Sequence, residues 1–83
     1  MKEPIGHKDR DGRDILEGDI VEFHVEYDWD GNPKYDTPSA TRMVDTVVID
    51  EGVPYFMDPD NGRAAFAWRH APHCRVIGNV HDT

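Results

Sequence analysis

The chain has 83 residues, of which 17 are acidic and 9 basic, giving a formal net charge of −8, and it has one cysteine. This length allows a single small domain, the lone cysteine excludes an internal disulfide, and the Lys and Arg residues are not clustered as DNA or RNA binding requires. The sequence has neither an apolar stretch of the ~20 residues that span a bilayer nor an apolar signal-peptide core. We therefore expect a cytoplasmic protein that binds neither nucleic acid nor membrane directly.

The N-terminal residues are polar and rich in turn formers. Residues 1–8 contain a proline and a glycine, which oppose a helix, and we expect a flexible N-terminus there. Residues 9–12 and 17–19 combine acidic side chains with glycine, and each segment predicts a turn. The folded part is then a single β domain over residues 9–83.

Apolar and polar side chains alternate over residues 20–27, IVEFHVEY, which is typical of a half-buried strand. The residues on its apolar face are Val21, Phe23, Val25 and Tyr27. Residues 28–41 contain a glycine, two prolines and few aliphatic side chains, which predicts a long loop or an irregular hairpin tip.

The rest of the chain predicts further short strands at residues 42–50, 53–57 and 74–77. Residues 64–68, AAFAW, fit either a short strand or one helical turn, because Ala is a strong helix former. About five short strands separated by turns predict an all-β fold. We expect a small antiparallel barrel or half-barrel, SH3-like in size, with the long loop 28–41.

The acidic-glycine turns also resemble calcium loops, which need oxygen ligands at the first and twelfth positions around a glycine at the sixth. With Gly12 sixth, the first and twelfth positions are His7 and Gly18, which supply neither ligand. With Gly31 sixth, the last position is Thr37. We therefore interpret these residues as turn formers.

Zinc is a weaker candidate. His70, His73 and Cys74 lie close in sequence, and His24 or His81 would complete a set of four. The spacing HAPHC matches no standard zinc knuckle, and a lone Cys entering a strand is more often a small core residue. No family signature for a nucleophile surrounds Cys74, and no glycine-rich phosphate loop is present. We expect no metal, no cofactor and no enzymatic activity.

The aromatic residues divide into two groups. Six lie in strand-like segments and are expected in the core: Phe23, Tyr27, Tyr55, Phe56, Phe66 and Trp68. The other two lie in the acidic loop, and the candidate partner-binding residues are Asp28, Trp29, Asp30, Tyr35 and Asp36. Aromatic residues are enriched at interface hot spots, which favours a protein-binding role for the loop. Alternatively, Trp29 folds back over an open barrel end.

Two segments at the ends of the chain resemble the YopX-like proteins. They are DRDGRDILEGDIVEF at residues 9–23 and RVIGNVHD at residues 75–82. The resemblance implies a small all-β, barrel-like YopX-like domain, a phage or prophage origin and no catalytic residues. It implies a structural role for Asp11, Gly12, Ile15, Glu17, Gly18, Asp19, Ile20, Val21, Val76, Ile77, Gly78 and Asn79. Residues 28–73 depart from the family pattern, and specific function is expected there.

These observations favour a small acidic accessory protein that binds a host or phage protein with a basic surface. Such a protein would act inside the bacterial host as a monomer or weak homodimer. Inhibition of host defence, such as CRISPR or restriction machinery, would follow if it occupied a basic nucleic-acid-binding surface. The alternatives are a structural β module that self-associates through an edge strand, or the zinc protein described above.

Overall fold

The chain is built mainly from short antiparallel strands. The computed structural model describes residues 3–60, 62 and 64–82. The strands are β1 (Pro4–Lys8), β2 (Asp14–Leu16), β3 (Asp19–Tyr27), β4 (Pro33–Tyr35), β5 (Thr41–Asp50), β6 (Val53–Met57), β7 (Ala64–Phe66) and β8 (Arg75–Asn79). A short helix, α1 (Ala67–His70), and a 3₁₀ turn at Ala71–His73 connect β7 to β8.

β3 is the central strand of the main sheet. One of its edges pairs with β5, and the sheet continues through β6 to β7. Its other edge is shared by two strands: β8 pairs with the first half of β3 and β4 with the second half. The result is a curled antiparallel half-barrel, which confirms the predicted fold class. β1 and β2 form a separate two-stranded sheet.

The alternating pattern of β3 determines which side chains enter the core. Val21, Phe23 and Val25 are buried on one face, as predicted, and the intervening residues are half-buried. Phe56 on β6 pairs with Val47 on β5, and both are buried. The complete buried apolar set is Ile15, Val21, Phe23, Val25, Val47, Phe56, Ala67, Ala71, Cys74 and Val76.

The N-terminal segment differs from the sequence-based expectation. Residues 4–8 are not a flexible terminus, because β1 pairs with β2 and Ile5 packs against the core. Residues 1 and 2 lie outside the described residues. The segment 64–68 contains both of the structures considered for it, a short strand and a helical turn, because β7 passes directly into α1. Within the described part of the chain, no helix has the length and apolar character needed to cross a membrane.

Most of the aromatic residues expected in the core lie elsewhere. Phe23 and Phe56 are buried, but Tyr27, Phe66 and Trp68 are exposed. Phe66 stacks between Tyr55 and Trp68, with ring centroids 5.3 Å and 6.3 Å away. For Phe66 and Trp68 the prediction failed because β7 is an edge strand that leads into a helix, so Phe66 stacks on its two aromatic neighbours.

Three turns that begin with an aspartate have a common geometry, which confirms the interpretation of the segments around Gly12 and Gly31 as turns. Asp9, Asp28 and Asp58 each accept a backbone N–H bond, through Oδ1, from the residue two positions later, at 2.9, 3.0 and 2.8 Å. Asp9 and Asp28 also accept one from the residue four positions later, at 2.9 Å in both cases. The carboxylates therefore satisfy backbone donors that the turns leave unpaired.

The two segments that carry the family resemblance lie side by side. Asp19, at the start of β3, pairs with Asn79, at the end of β8. The Asn79 side-chain amide donates to Asp19 Oδ1 at 2.8 Å, and the Leu16 N–H donates to Asp19 Oδ2 at 2.8 Å. The Val80 N–H donates to the Gly18 carbonyl at 2.9 Å. These buried bonds join β2, β3 and β8 and explain why the motif residues are structural.

Candidate functional site

The turn between β3 and β4 is fixed by a short hydrogen-bond network around Asp28. The Asp28 N–H donates to the Asn32 carbonyl at 3.0 Å, and the Gly31 N–H donates to the Asp28 carbonyl at 2.9 Å. The Asp28 carboxylate accepts from the N–H groups of Asp30 and Asn32. The hairpin tip, residues 28–32, is therefore an ordered projection, because four bonds specify its backbone.

Trp29 lies on this tip with 99% of its surface exposed. The alternative that it folds back over an open end of the barrel is therefore wrong. A tryptophan in full contact with water keeps a large apolar surface unburied. The hairpin tip thus presents an exposed aromatic side chain on an ordered backbone.

The other candidate residues divide between the tip and the packed interior. Asp30 is exposed on the tip, whereas the Asp28 carboxylate is engaged in the turn. Asp36 is exposed and lies 3.6 Å from the Arg10 guanidinium. Tyr35 is half-buried, and its ring stacks on His73 with centroids 3.7 Å apart. Tyr35 is therefore part of the packing between β4 and the 3₁₀ turn. Of the candidate residues on the tip, Trp29 and Asp30 are the exposed ones.

His70 is buried and packs among aromatic rings. Its imidazole stacks on Phe23 with centroids 4.5 Å apart, and Nδ1 lies 2.6 Å from the Tyr35 hydroxyl oxygen. Burial, together with the positive charges of Arg69 and His73, lowers the pKa of His70 to about 4. The imidazole is consequently neutral near pH 7.

Cys74 is fully buried, and its thiol donates to the Ala71 carbonyl at 3.3 Å. Burial, with a smaller effect of Asp9, raises the pKa of Cys74 to about 12, so the thiol remains protonated and unreactive at neutral pH. His70, His73 and Cys74 each have separate contacts. Among the described residues, no group of three or more His, Cys, Asp or Glu side chains could hold a metal ion.

An acidic residue in the core-facing register of β5 was missed by sequence reasoning. Asp45 pairs with Val21 and is only 5% exposed. Burial, with a further contribution from Asp58, raises the pKa of Asp45 to about 6. The sequence does contain an indication, because Asp45 shares the period-two position of Met43 and Val47 on a strand whose inner face is apolar.

Comparison with known proteins agrees with the resemblance at the chain ends. A family model described as YopX protein matches residues 1–83. The chain belongs to the YopX family. The family indicates a small phage-type protein. No curated protein and no solved structure matches the chain.

In this YopX-family protein, the pairing with β8 and the exposed tip lie at opposite ends of β3. The first half of β3 pairs with β8 through the motif segments, and the second half continues into the hairpin tip. The tip lies within residues 28–73, which the family model also covers because its match extends over residues 1–83. The structure thus separates the motif segments from the hairpin tip.

Proposed function

We propose that this YopX-family protein is a small, non-enzymatic accessory protein that binds another protein through its hairpin tip. The site of action is the cytoplasm of the bacterial host, and the acting form is a monomer or weak homodimer. The observation that carries this proposal is the 99% exposure of Trp29 on a backbone held by four hydrogen bonds. On this proposal, Trp29 and Asp30 bind the partner, and Asp36, which lies close to them in the sequence, also contributes.

The energetics of burying Trp29 support this role. An aromatic side chain of this size buries ~150–250 Å² of surface, which corresponds to roughly 4–6 kcal/mol of hydrophobic stabilisation before association entropy is subtracted. Because the tip is ordered before binding, little additional backbone entropy is lost on association. A tryptophan placed in this way is an efficient anchor for a protein partner.

The net charge of the chain supports a partner with a basic surface. The chain carries a net charge of −8, and the acidic side chains of Asp30 and Asp36 are exposed. Complementary charge steers an acidic protein toward a basic surface. The basic surfaces that bind nucleic acid in CRISPR or restriction enzymes are such surfaces, and occupation of one would inhibit host defence. On this proposal the protein itself binds neither nucleic acid nor membrane.

The test is capture of host proteins on the immobilised protein, followed by affinity measurement for each captured candidate. Trp29→Ala should weaken binding by about 2 kcal/mol or more, as expected for a hot spot. Trp68→Ala is the matched control, because Trp68 is also exposed but lies on α1. Asp30→Lys should weaken binding, whereas Asp50→Lys, an exposed acid at the end of β5, should not. Asp28 is left unchanged because its carboxylate holds the turn.

Two results would contradict this proposal. A partner whose affinity is unchanged by both Trp29→Ala and Asp30→Lys binds elsewhere on the protein. For the inhibitory role, nucleic acid should compete with this protein for the captured partner. If the partner binds both at once with undiminished affinity, occupation of its nucleic-acid-binding surface is ruled out.

A further inference from the structure

A cavity of about 250 Å³ opens beside the main sheet, separate from the residues of the hairpin tip. It is lined by side chains from β3, β5, β6, β7 and α1. Much of the wall is apolar, with Phe23, Phe56, Met43 and Ala65 contributing. A concave apolar site with a few convergent polar groups is the general form of a small-ligand pocket, and this one is small.

One wall residue lacks the partner that its burial requires. Asp45 lines the cavity, is only 5% exposed, and its Oδ1 is buried without a hydrogen-bond partner within the described part of the chain. Leaving a buried carboxylate oxygen unpaired costs free energy, and buried acids are normally paired. The wall of the cavity therefore includes a carboxylate with one enclosed oxygen for which the described residues provide no donor.

The other polar groups of the cavity specify the charge of a ligand. Thr46 pairs with Met57, so Asp45 and Asp58 come next in register, and both line the cavity. Among the described residues of the wall, Arg69 is the cation, and Asp45 is the carboxylate that keeps an unpaired oxygen. His70, also in the wall, is neutral near pH 7 because its pKa is lowered to about 4 by burial first and by nearby positive charges second. The unpaired oxygen of Asp45 therefore favours a cationic donor.

We propose that this cavity binds an organic cation, a guanidinium or ammonium group on a short apolar stem, with the cation donating to Asp45. The stem would pack against Phe23 and Phe56, and Tyr27 at the wall offers an aromatic face for the charge. A guanidinium suits the site best, because its planar fork of N–H donors matches the geometry of a carboxylate. The cation belongs either to a free small molecule or to a basic side chain of another protein. The inference is independent of the role proposed for Trp29.

The test is a titration of the ¹⁵N-labelled protein with n-butylguanidinium, followed by NMR. Saturable shifts are expected at the backbone amides of Phe23, Ala65 and His70, which lie around the cavity. n-Butylurea, a neutral molecule of the same shape, should bind at least about tenfold more weakly, because it cannot form a charge-assisted bond. Asp45→Asn should weaken n-butylguanidinium binding by a similar factor. Asp50→Asn, which removes an exposed acid from the same strand, should leave the affinity unchanged.

Three outcomes would overturn the inference. They are the absence of saturable shifts at the cavity, equal affinities for n-butylurea and n-butylguanidinium, and an Asp45→Asn variant that binds n-butylguanidinium as tightly as the unaltered protein does. The first would mean that the cavity holds only water. The urea comparison uses the unaltered protein, so the inference remains testable even if Asp45→Asn fails to fold. A short peptide with a single Arg distinguishes the two sources. Tighter binding of this peptide than of n-butylguanidinium indicates a protein side chain, and equal or weaker binding indicates a free molecule.

Discussion

The Nδ1 atom of His70 lies 2.6 Å from the hydroxyl oxygen of Tyr35, and the same hydroxyl donates to the Arg69 carbonyl at 3.0 Å. With the hydroxyl proton directed to the carbonyl, Nδ1–H donates to the hydroxyl oxygen, and Nε2 is the unprotonated nitrogen. Burial, together with the nearby Tyr27, raises the pKa of Tyr35 to about 12, so the phenol remains neutral. This contact connects β4 to α1 and holds the helix against the sheet.

Tyr35→Phe should destabilise the protein by about 1–2 kcal/mol, because the buried Nδ1 of His70 and the Arg69 carbonyl both lose a partner. Urea unfolding measures the change. Tyr27→Phe is the matched control and should alter stability by less than about 0.5 kcal/mol, since Tyr27 is exposed. Equal effects from the two substitutions would mean that the contact between β4 and α1 adds no stability.

Asp45→Asn should stabilise the protein at pH 7. The pKa of Asp45 is raised to about 6 by burial first and Asp58 second, so the folded state binds more protons than the unfolded state between about pH 4 and pH 6. The contribution of Asp45 to stability therefore falls as pH rises through this window. The gain from the substitution should be of the order of 1–3 kcal/mol at pH 7 and should vanish below about pH 4. A gain that is the same at both pH values would contradict this linkage.

His70 should produce the opposite dependence. Its pKa is lowered to about 4, chiefly by burial, so the unfolded state binds the proton first and stability is lost as pH falls from about 6.5 toward 4. His70→Gln should reduce this loss, even though it removes the stacking on Phe23. The comparison is best made in the Asp45→Asn background, where the opposing carboxyl titration is absent. An unchanged slope of unfolding free energy against pH would show that His70 is not its source.

Gly18→Ala should destabilise more than Gly12→Ala. Both glycines have positive φ, +84° and +79°, which an alanine adopts only with strain. A Cβ at Gly18 would also lie 2.7 Å from Cδ2 of His81, whereas nothing lies within 4 Å of one at Gly12. The His81 ring would have to rotate away and lose its contact with Glu17. We expect a further loss of about 1 kcal/mol at Gly18, measured by thermal or urea unfolding.

Trp29 should be fully accessible to acrylamide in the free protein. Trp68→Phe leaves Trp29 as the sole tryptophan, and its emission and quenching should equal those of a tryptophan derivative free in water. Trp29→Phe provides the comparison, because Trp68 is less exposed and stacks with Phe66. Blue-shifted, protected emission from Trp29 would place it in a packed environment and remove the basis for the binding role of the tip.

Local patterns in the sequence predicted much of the scaffold. The alternation at Val21, Phe23 and Val25 specifies the inner face of β3 without reference to any partner strand. The turns at Asp9 and Asp28 follow equally from local chemistry, because each carboxylate bonds backbone groups two and four residues away. The exposure of Trp29 did not follow from the turn, because the sequence left open that its side chain folds back over the barrel end, and only the structure shows it exposed.

Features that depend on distant contacts were not predictable. β1 is polar, and it forms only because β2 supplies pairing partners across a register irregularity. The half-buried position of Tyr35 depends on α1, a single turn whose location is set by packing rather than by an amphipathic pattern. The burial of Asp45 could have been predicted from its position in β5. The cavity beside it could not, because it forms only when β6 and α1 pack around it.

The chain has one cysteine, Cys74, and it is buried, so it does not compete with an introduced cysteine for a labelling reagent. Because Cys74 is fully buried and stays protonated, maleimides should modify it only when β8 and the 3₁₀ turn open, and its reaction rate then reports that opening. A cysteine introduced at the exposed Asn32 would react far faster in the native state. A fluorophore or cross-linker could therefore be attached beside Trp29 alone, and it would report on the partner at the tip directly.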